Sequence, residues 1–197
     1  MELQEAIARR RMVRNYTQEP VDPAAVDRVI DAARCAPSAG FSQGQRFVVV
    51  TAPGTRSAIA ELGGESHYVE QGFDRWMSLA PVHVVPCADE RAYHERYQEP
   101  DKLGEDGELA WPVPYWHVDI GASLMALLLT VVEEGLAAGF FGVHRLDGLR
   151  ELLGIPEGVH PIGVVTLGHP ARDRRSGSLA RGWRELDDVR YRERWSG

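Results

Sequence analysis

Lysine is almost missing from this chain of 197 residues: Lys102 is the only one, and every other basic residue is arginine. That is a bias of composition and names no function. A basic surplus is missing too, since 29 acidic residues against 22 basic ones leave a formal net charge of −7. Such a balance argues against a nucleic-acid binder, which carries excess positive charge to neutralise many phosphates at once. Cysteine is scarce, with only Cys35 and Cys87 and no CxxC spacing, so neither a zinc site nor a disulfide framework is expected. Both read as buried thiols. The histidines, His67, His83, His94, His117, His144, His160 and His169, stand at no metal-ligand spacing from one another or from a cysteine, so no metal site is expected. GxGxxG after a strand, GxxxxGK(S/T), HExxH and GxSxG are all absent, which sets aside the common phosphate-loop, metalloprotease and serine-hydrolase signatures.

Long apolar runs are also lacking. "MELQEAIARR" is charged and amphipathic rather than leader-like, and predicts a cytoplasmic protein. In "HVDIGASLMALLLTVVEEG" only 13 residues separate Asp119 from Glu133, short of the roughly 20 that cross a bilayer. No membrane association is expected. This segment predicts a helix buried on all sides, by its own domain or by a partner subunit.

What is present fits one domain over residues 1–197, with 44% hydrophobic and 26% charged residues, enough to build a sizeable core. Leu3, Ala6, Ile7 and Arg10 share one face of a first helix. "VDPAAVDRVIDAARCAPS" predicts a second, with Asp22 as N-cap, Pro23 at N1 and Pro37 beyond its end. "RFVVVT", "APVHVVPCA", "GFFGVH" and "HPIGVVTLGHP" read as strands, and "SHYVEQGFDRWMSLA" as a helix. "YHERY" reads as a solvated helix turn, and Trp76 and Met77 as core. The order lacks regular βαβ alternation, so an α+β sandwich with a mainly antiparallel sheet is expected. The last stretch carries eight arginines between 172 and 194, and Val189, Tyr191 and Trp195 alternate there like a strand seeking a sheet edge.

"RRRMVRNY" places four arginines within residues 9–14 of an acidic chain, which points to one small, specific anion. This cluster, the turn "APSAGFSQGQRFVVV", the apolar helix ending in "EGLAAGFFG" and "IGVVTLGHPA" together resemble the FMN-binding nitroreductase family, over nearly the whole chain. The resemblance implies a three-layer α+β homodimer whose sheet is completed by the partner's C-terminal strand, with FMN at the interface. It implies that Arg10, Arg11, Met12 and Arg14 hold the phosphate and the ring's N1–O2 edge, arginine being suited to both by its planar fork. Met12 departs from the family's common serine. Pro37, Ser38, Ala39, Phe41 and Gln43 would reach the flavin from the other subunit; Phe41 replaces a frequent asparagine, and Gly44 and Gln45 replace proline and tryptophan. Phe140, Phe141 and Gly142 would lie against the ring, and Arg181 or Arg184 would be a second phosphate ligand. Ala126 stands in place of a frequent asparagine.

The implied activity is transfer of electrons from NAD(P)H through FMN to a planar, electron-poor acceptor such as a nitroaromatic or quinone, by a ping-pong mechanism that requires little acid–base chemistry of the protein and singles out no catalytic side chain. Tyr93, Tyr97, Trp111, Tyr115 and Trp116, in residues 89–117, would either select that acceptor or serve an interface. Phe41 is shared with the branch that cleaves reduced flavin to a benzimidazole, so that chemistry stays open, as does non-catalytic flavin binding.

Overall fold

A computed structural model describes residues 1–105, 107–142, 146–173 and 176–195. The expected β-run through Val143 and His144, and Arg174 and Arg175 of the tail, lie outside the described residues. The chain opens with α1 (Leu3–Arg9) and α2 (Pro23–Arg34), the latter capped by the Asp22 carboxylate, which accepts the Ala24 N–H. Then come β1 (Gln45–Val50), α3 (Pro53–Leu62), α4 (Glu65–Glu70), β2 (Val82–Asp89) and α5 (Glu90–Tyr97). The long α6 (Tyr115–Glu133), β3 (Ala137–Phe141), α7 (Leu146–Leu153), β4 (Val159–Pro161) and β5 (Val164–Gly168) follow.

The sheet runs β1-β2-β5-β3 with β4 alongside β2, and all of these pairs are antiparallel. Alternation along the strands divides the core in two. Val85, Ala137, Phe141 and Val164 face the layer of α3, α4 and α7, whereas Val84, Ala138, Val165 and Leu167 face α2 and α6. This is the three-layer α+β arrangement expected from the element order.

Several local expectations are corrected. The stretch from Ser66 to Ala80 is helical only to Glu70. The buried Glu65 carboxylate accepts the Trp76 and Ser78 N–H groups at 3.1 and 2.9 Å and the Ser78 hydroxyl at 2.5 Å. Satisfying a buried carboxylate holds the chain in a turn there, where a helix would leave it unpaired. Cys35 is exposed, because it caps α2 beyond the apolar stripe of Val26, Val29 and Ala33; Cys87 is buried as expected. Tyr93 in "YHERY" is 1% exposed rather than solvated.

Neither α1 nor α6 is covered all round within the chain. Only Ala6 of α1 is buried, while Leu3 and Ile7 are exposed. On α6, Asp119, Ile120, Ser123, Leu127 and Val131 face the core, and Val118, Gly121, Ala122 and Met125 face outward. The described tail contains no strand. It forms 3₁₀ turns at Gly177–Arg181 and Leu186–Asp188 in place of the expected strand, and the Tyr191 and Trp195 rings stack with centroids 4.1 Å apart.

Candidate functional site

After α1 the chain runs along the free edge of β3. Met12 bridges Ala138 in parallel, the Val13 N–H donates to the Ala138 carbonyl at 2.9 Å, and Val13 is buried. The Tyr16 hydroxyl is buried against Thr166 Oγ1 at 2.7 Å, and burial pushes its pKa up, keeping it protonated. The sheet edge comes this close because residue 139 is glycine. A Cβ there would stand 2.5 Å from the Val13 carbonyl oxygen and 2.8 Å from Thr166 Oγ1.

Backbone docking fixes the segment while leaving its side chains available. The Arg14 N–H donates to Asp173, and the Arg14 guanidinium lies over the Trp76 ring, 5.8 Å from its centroid, within cation–π range. Arg11 borders a pocket of about 380 Å³ floored by Val13, Leu128, Leu136 and Ala138. Among the described residues no carboxylate forms an ion pair with the side chain of Arg10, Arg11 or Arg14, whereas Arg9, Arg28, Arg34, Arg46 and Arg96 are all paired. In a chain with 29 acidic residues, guanidinium groups without a described carboxylate partner are suited to an anion from outside. Met12 is exposed on the same stretch.

The turn before β1 is built differently. Ser38 Oγ accepts the Gln43 N–H at 2.9 Å, and the Ser42 hydroxyl donates to the Ala39 carbonyl at 2.6 Å. Phe41 and Gln43 both take left-handed backbone conformations, with φ of 59° and 51°, uncommon for residues with side chains. Phe41 is 73% exposed, an aromatic ring held away from its own core, and Pro37 is exposed beside it. The turn abuts an aromatic cluster: Tyr97 packs on Gly40, and Trp111 meets Tyr97 and Trp116 with centroids 4.6 and 5.7 Å apart.

Phe140 and Phe141 point to opposite faces of the sheet. Phe141 is core, 5.6 Å from the Trp76 ring and 6.4 Å from His83, and Phe140 packs toward α2 and α6. Only Gly142, with open space where a Cβ would be, leaves the strand end accessible to a planar group. Arg181 and Arg184 lie on the exposed tail, and no described contact joins either to residues 10–14.

The two groups of predicted residues stand apart within one chain. The 10–14 segment lies beyond β3 and the turn leads into β1, at opposite edges of the sheet. Four strand spacings place them about 19 Å apart. The sequence reading missed Gly139, Trp76 as a platform, and the polar groups of α5 and α6 that secure the turn; only glycine within an apolar strand-like run was a visible signal.

With this geometry in view, the comparisons decide the lineage. The family model described as Nitroreductase family matches residues 7–169, and the chain belongs to the nitroreductase family. The FMN reductase (NAD(P)H) of Bacillus subtilis is 31% identical over 166 residues, covering 82% of this chain and 63% of that protein. The NADH dehydrogenase of Thermus thermophilus is 28% identical over 189 residues, covering 85% of this chain and 86% of its own. A nitroreductase family protein from Clostridium difficile superposes with a TM-score of 0.72 at 21% identity, covering 99% of this chain and all of that one.

Proposed function

We propose that this protein is an FMN-dependent oxidoreductase that draws electrons from NAD(P)H and passes them to a planar, electron-poor acceptor such as a quinone or nitroaromatic. FMN is its cofactor, and bound FMN supplies the two-electron chemistry. The observation that carries the reading is the docked 10–14 segment, whose Arg10, Arg11 and Arg14 have no carboxylate partner among the described residues. Their charges match a phosphate and an electron-rich ring edge, and Trp76 restrains Arg14 so that less freedom is lost on binding. Gly142 offers backbone to the ring, and Ser38 presents a hydroxyl whose hydrogen has no described acceptor. Arg181 or Arg184 supplies a further phosphate contact from the tail.

A homodimer completes the site. A second copy brings the Pro37–Gln43 turn, with Ala39 and Phe41, to the arginines that its own chain cannot reach, and covers the bare apolar residues of α1 and α6. The aromatic cluster of Tyr97, Trp111 and Tyr115 then flanks the pocket and favours flat acceptors.

Titration with FMN and with riboflavin tests the phosphate assignment: much tighter binding of FMN is expected, and equal affinities would refute it. NAD(P)H oxidation by the FMN-loaded protein, with a quinone or a nitroarene as acceptor, tests the activity. Alternating reduction and oxidation in separate half-reactions is the expected kinetic pattern.

A further inference from the structure

The 38–43 turn is fastened from outside by two side chains. Asp119, 8% exposed on the otherwise apolar α6, uses one carboxylate oxygen to accept both the Ala39 N–H and the Tyr93 O–H, each at 2.8 Å. Tyr93 is itself buried among Ala88, Trp116 and Ile120. Arg96 Nε donates to the Gly40 carbonyl at 2.9 Å, while its guanidinium is braced by Asp101 at 2.7 Å. On the other flank the Asp89 N–H donates to the Gly44 carbonyl at 2.8 Å.

A carboxylate in an apolar layer is costly to bury, and an apolar side chain would pack there without that cost. What Asp119 provides instead is a fixed acceptor beneath a turn whose Phe41 and Gln43 occupy disfavoured backbone conformations. Such conformations persist only where the surroundings over-determine them. We infer that Asp119, supported by Tyr93, is a positioning residue that holds the Ser38–Gln43 turn in the shape that meets the flavin ring of the partner subunit's site. The inference rests on the FMN reading above and adds to it the group that sets the turn's geometry. Because the turn meets the ring and not the phosphate, disturbing Asp119 has a signature different from disturbing the arginines.

The test compares FMN and riboflavin binding, and the visible circular dichroism of the bound flavin, in the full-length protein and in Asp119→Ala, Asp119→Asn and Tyr93→Phe. Asp119→Ala should weaken both ligands by the same factor, roughly tenfold or more for a lost buried acceptor, and should alter the dichroism. Asp119→Asn keeps an acceptor oxygen and should restore most of the affinity. Tyr93→Phe should shift the dichroism in the same direction by less. Folded Asp119→Ala protein with unchanged affinities and spectrum would overturn the inference; so would an unchanged Tyr93→Phe protein where Asp119→Ala does not fold. Failure of the unaltered chain to bind FMN would instead count against the functional reading itself.

Discussion

The 10–14 segment and the 38–43 turn flank opposite edges of one sheet and are secured in opposite ways. The segment is pinned through its backbone, to Ala138 and Asp173, and its guanidinium groups have no carboxylate partner among the described residues. The turn is pinned through side chains of α5 and α6, and what it presents outward is the aromatic ring of Phe41. In the proposed dimer, one half of the pocket would hold charge for an outside ligand to neutralise. The other would be a preformed shape with little charge of its own. Affinity for the anion should therefore reside in the first half, and orientation of the ring in the second.

The largest effect that would break this contrast comes from removing the charges. Arg10→Ala and Arg14→Ala combined should cost about 3–6 kcal/mol of FMN binding if each removes a charged hydrogen bond and the two act independently. Calorimetric titration should show a clearly smaller loss for riboflavin, which keeps the ring edge and has no phosphate. An equal loss for the two ligands would mean that the segment acts on the ring alone.

Beneath Trp76, His83 is wholly buried and its Nε2–H donates to the Met77 carbonyl at 2.7 Å. Burial pushes its pKa down from the usual 6.5 to about 4. For this base the neutral form is favoured by folding, so its contribution is complete above pH 6.5 and is lost as the pH falls toward 4. Two and a half units correspond to roughly 3 kcal/mol. Urea midpoints measured from pH 7 to 4 should fall accordingly, with a flatter profile in His83→Phe.

Gly139→Ala should loosen the arginine half alone. The added methyl meets the Val13 carbonyl at 2.5 Å, and overpacking of this kind costs about 1–3 kcal/mol. A lowered melting temperature together with weakened FMN binding is expected, while the Asp119 contacts of the turn are untouched.

The smallest effect concerns the aromatic wall. His94 Nδ1 meets Glu108 at 2.5 Å, and Trp111 Nε1 donates to the same oxygen at 2.8 Å. The hydrogen bond to Glu108 raises the His94 pKa above 6.5, and hydrogen bonds from Trp111 and His94 lower that of Glu108 below 4.5. The raised histidine stabilises below pH 6.5 and loses its contribution as pH climbs through its folded value. The lowered carboxylate stabilises above pH 4.5 and loses its contribution as pH falls through its own. The link is therefore strongest between those two values and should slacken in mild alkali, where amide protection factors over residues 108–113, taken relative to the intrinsic base-catalysed rate, should fall. Unchanged protection factors from pH 6 to 9 would remove His94 as a tether.

What could be read from the sequence follows physical range. Strands and helices with strong local signals, such as "RFVVVT" or the Asp22–Pro23 cap, emerged as expected because neighbours in sequence determine them. The turn at Phe73–Leu79 did not, because the buried carboxylate of Glu65, 11 and 13 residues before Trp76 and Ser78, imposes it through packing that no local pattern shows. Arg10, Arg11 and Arg14 were conspicuous as a cluster of charge. The Asp119–Ala39 contact spans 80 residues, and no local pattern announces it. The Phe140–Phe141 pair shows a further limit: a short apolar run announces a strand, but only the sheet's register shows which face each ring takes.

The strand order has a genetic consequence. In a dimer of the proposed kind, each pocket takes its arginines from one chain and its turn from the other. An allele lacking Arg10 and Arg14 and an allele with a ruined 38–43 turn are each defective alone. Coexpressed, they form mixed dimers in which one pocket inherits both lesions and the other inherits neither. Two broken copies of the same gene should therefore complement one another, restoring at most one working centre per mixed dimer.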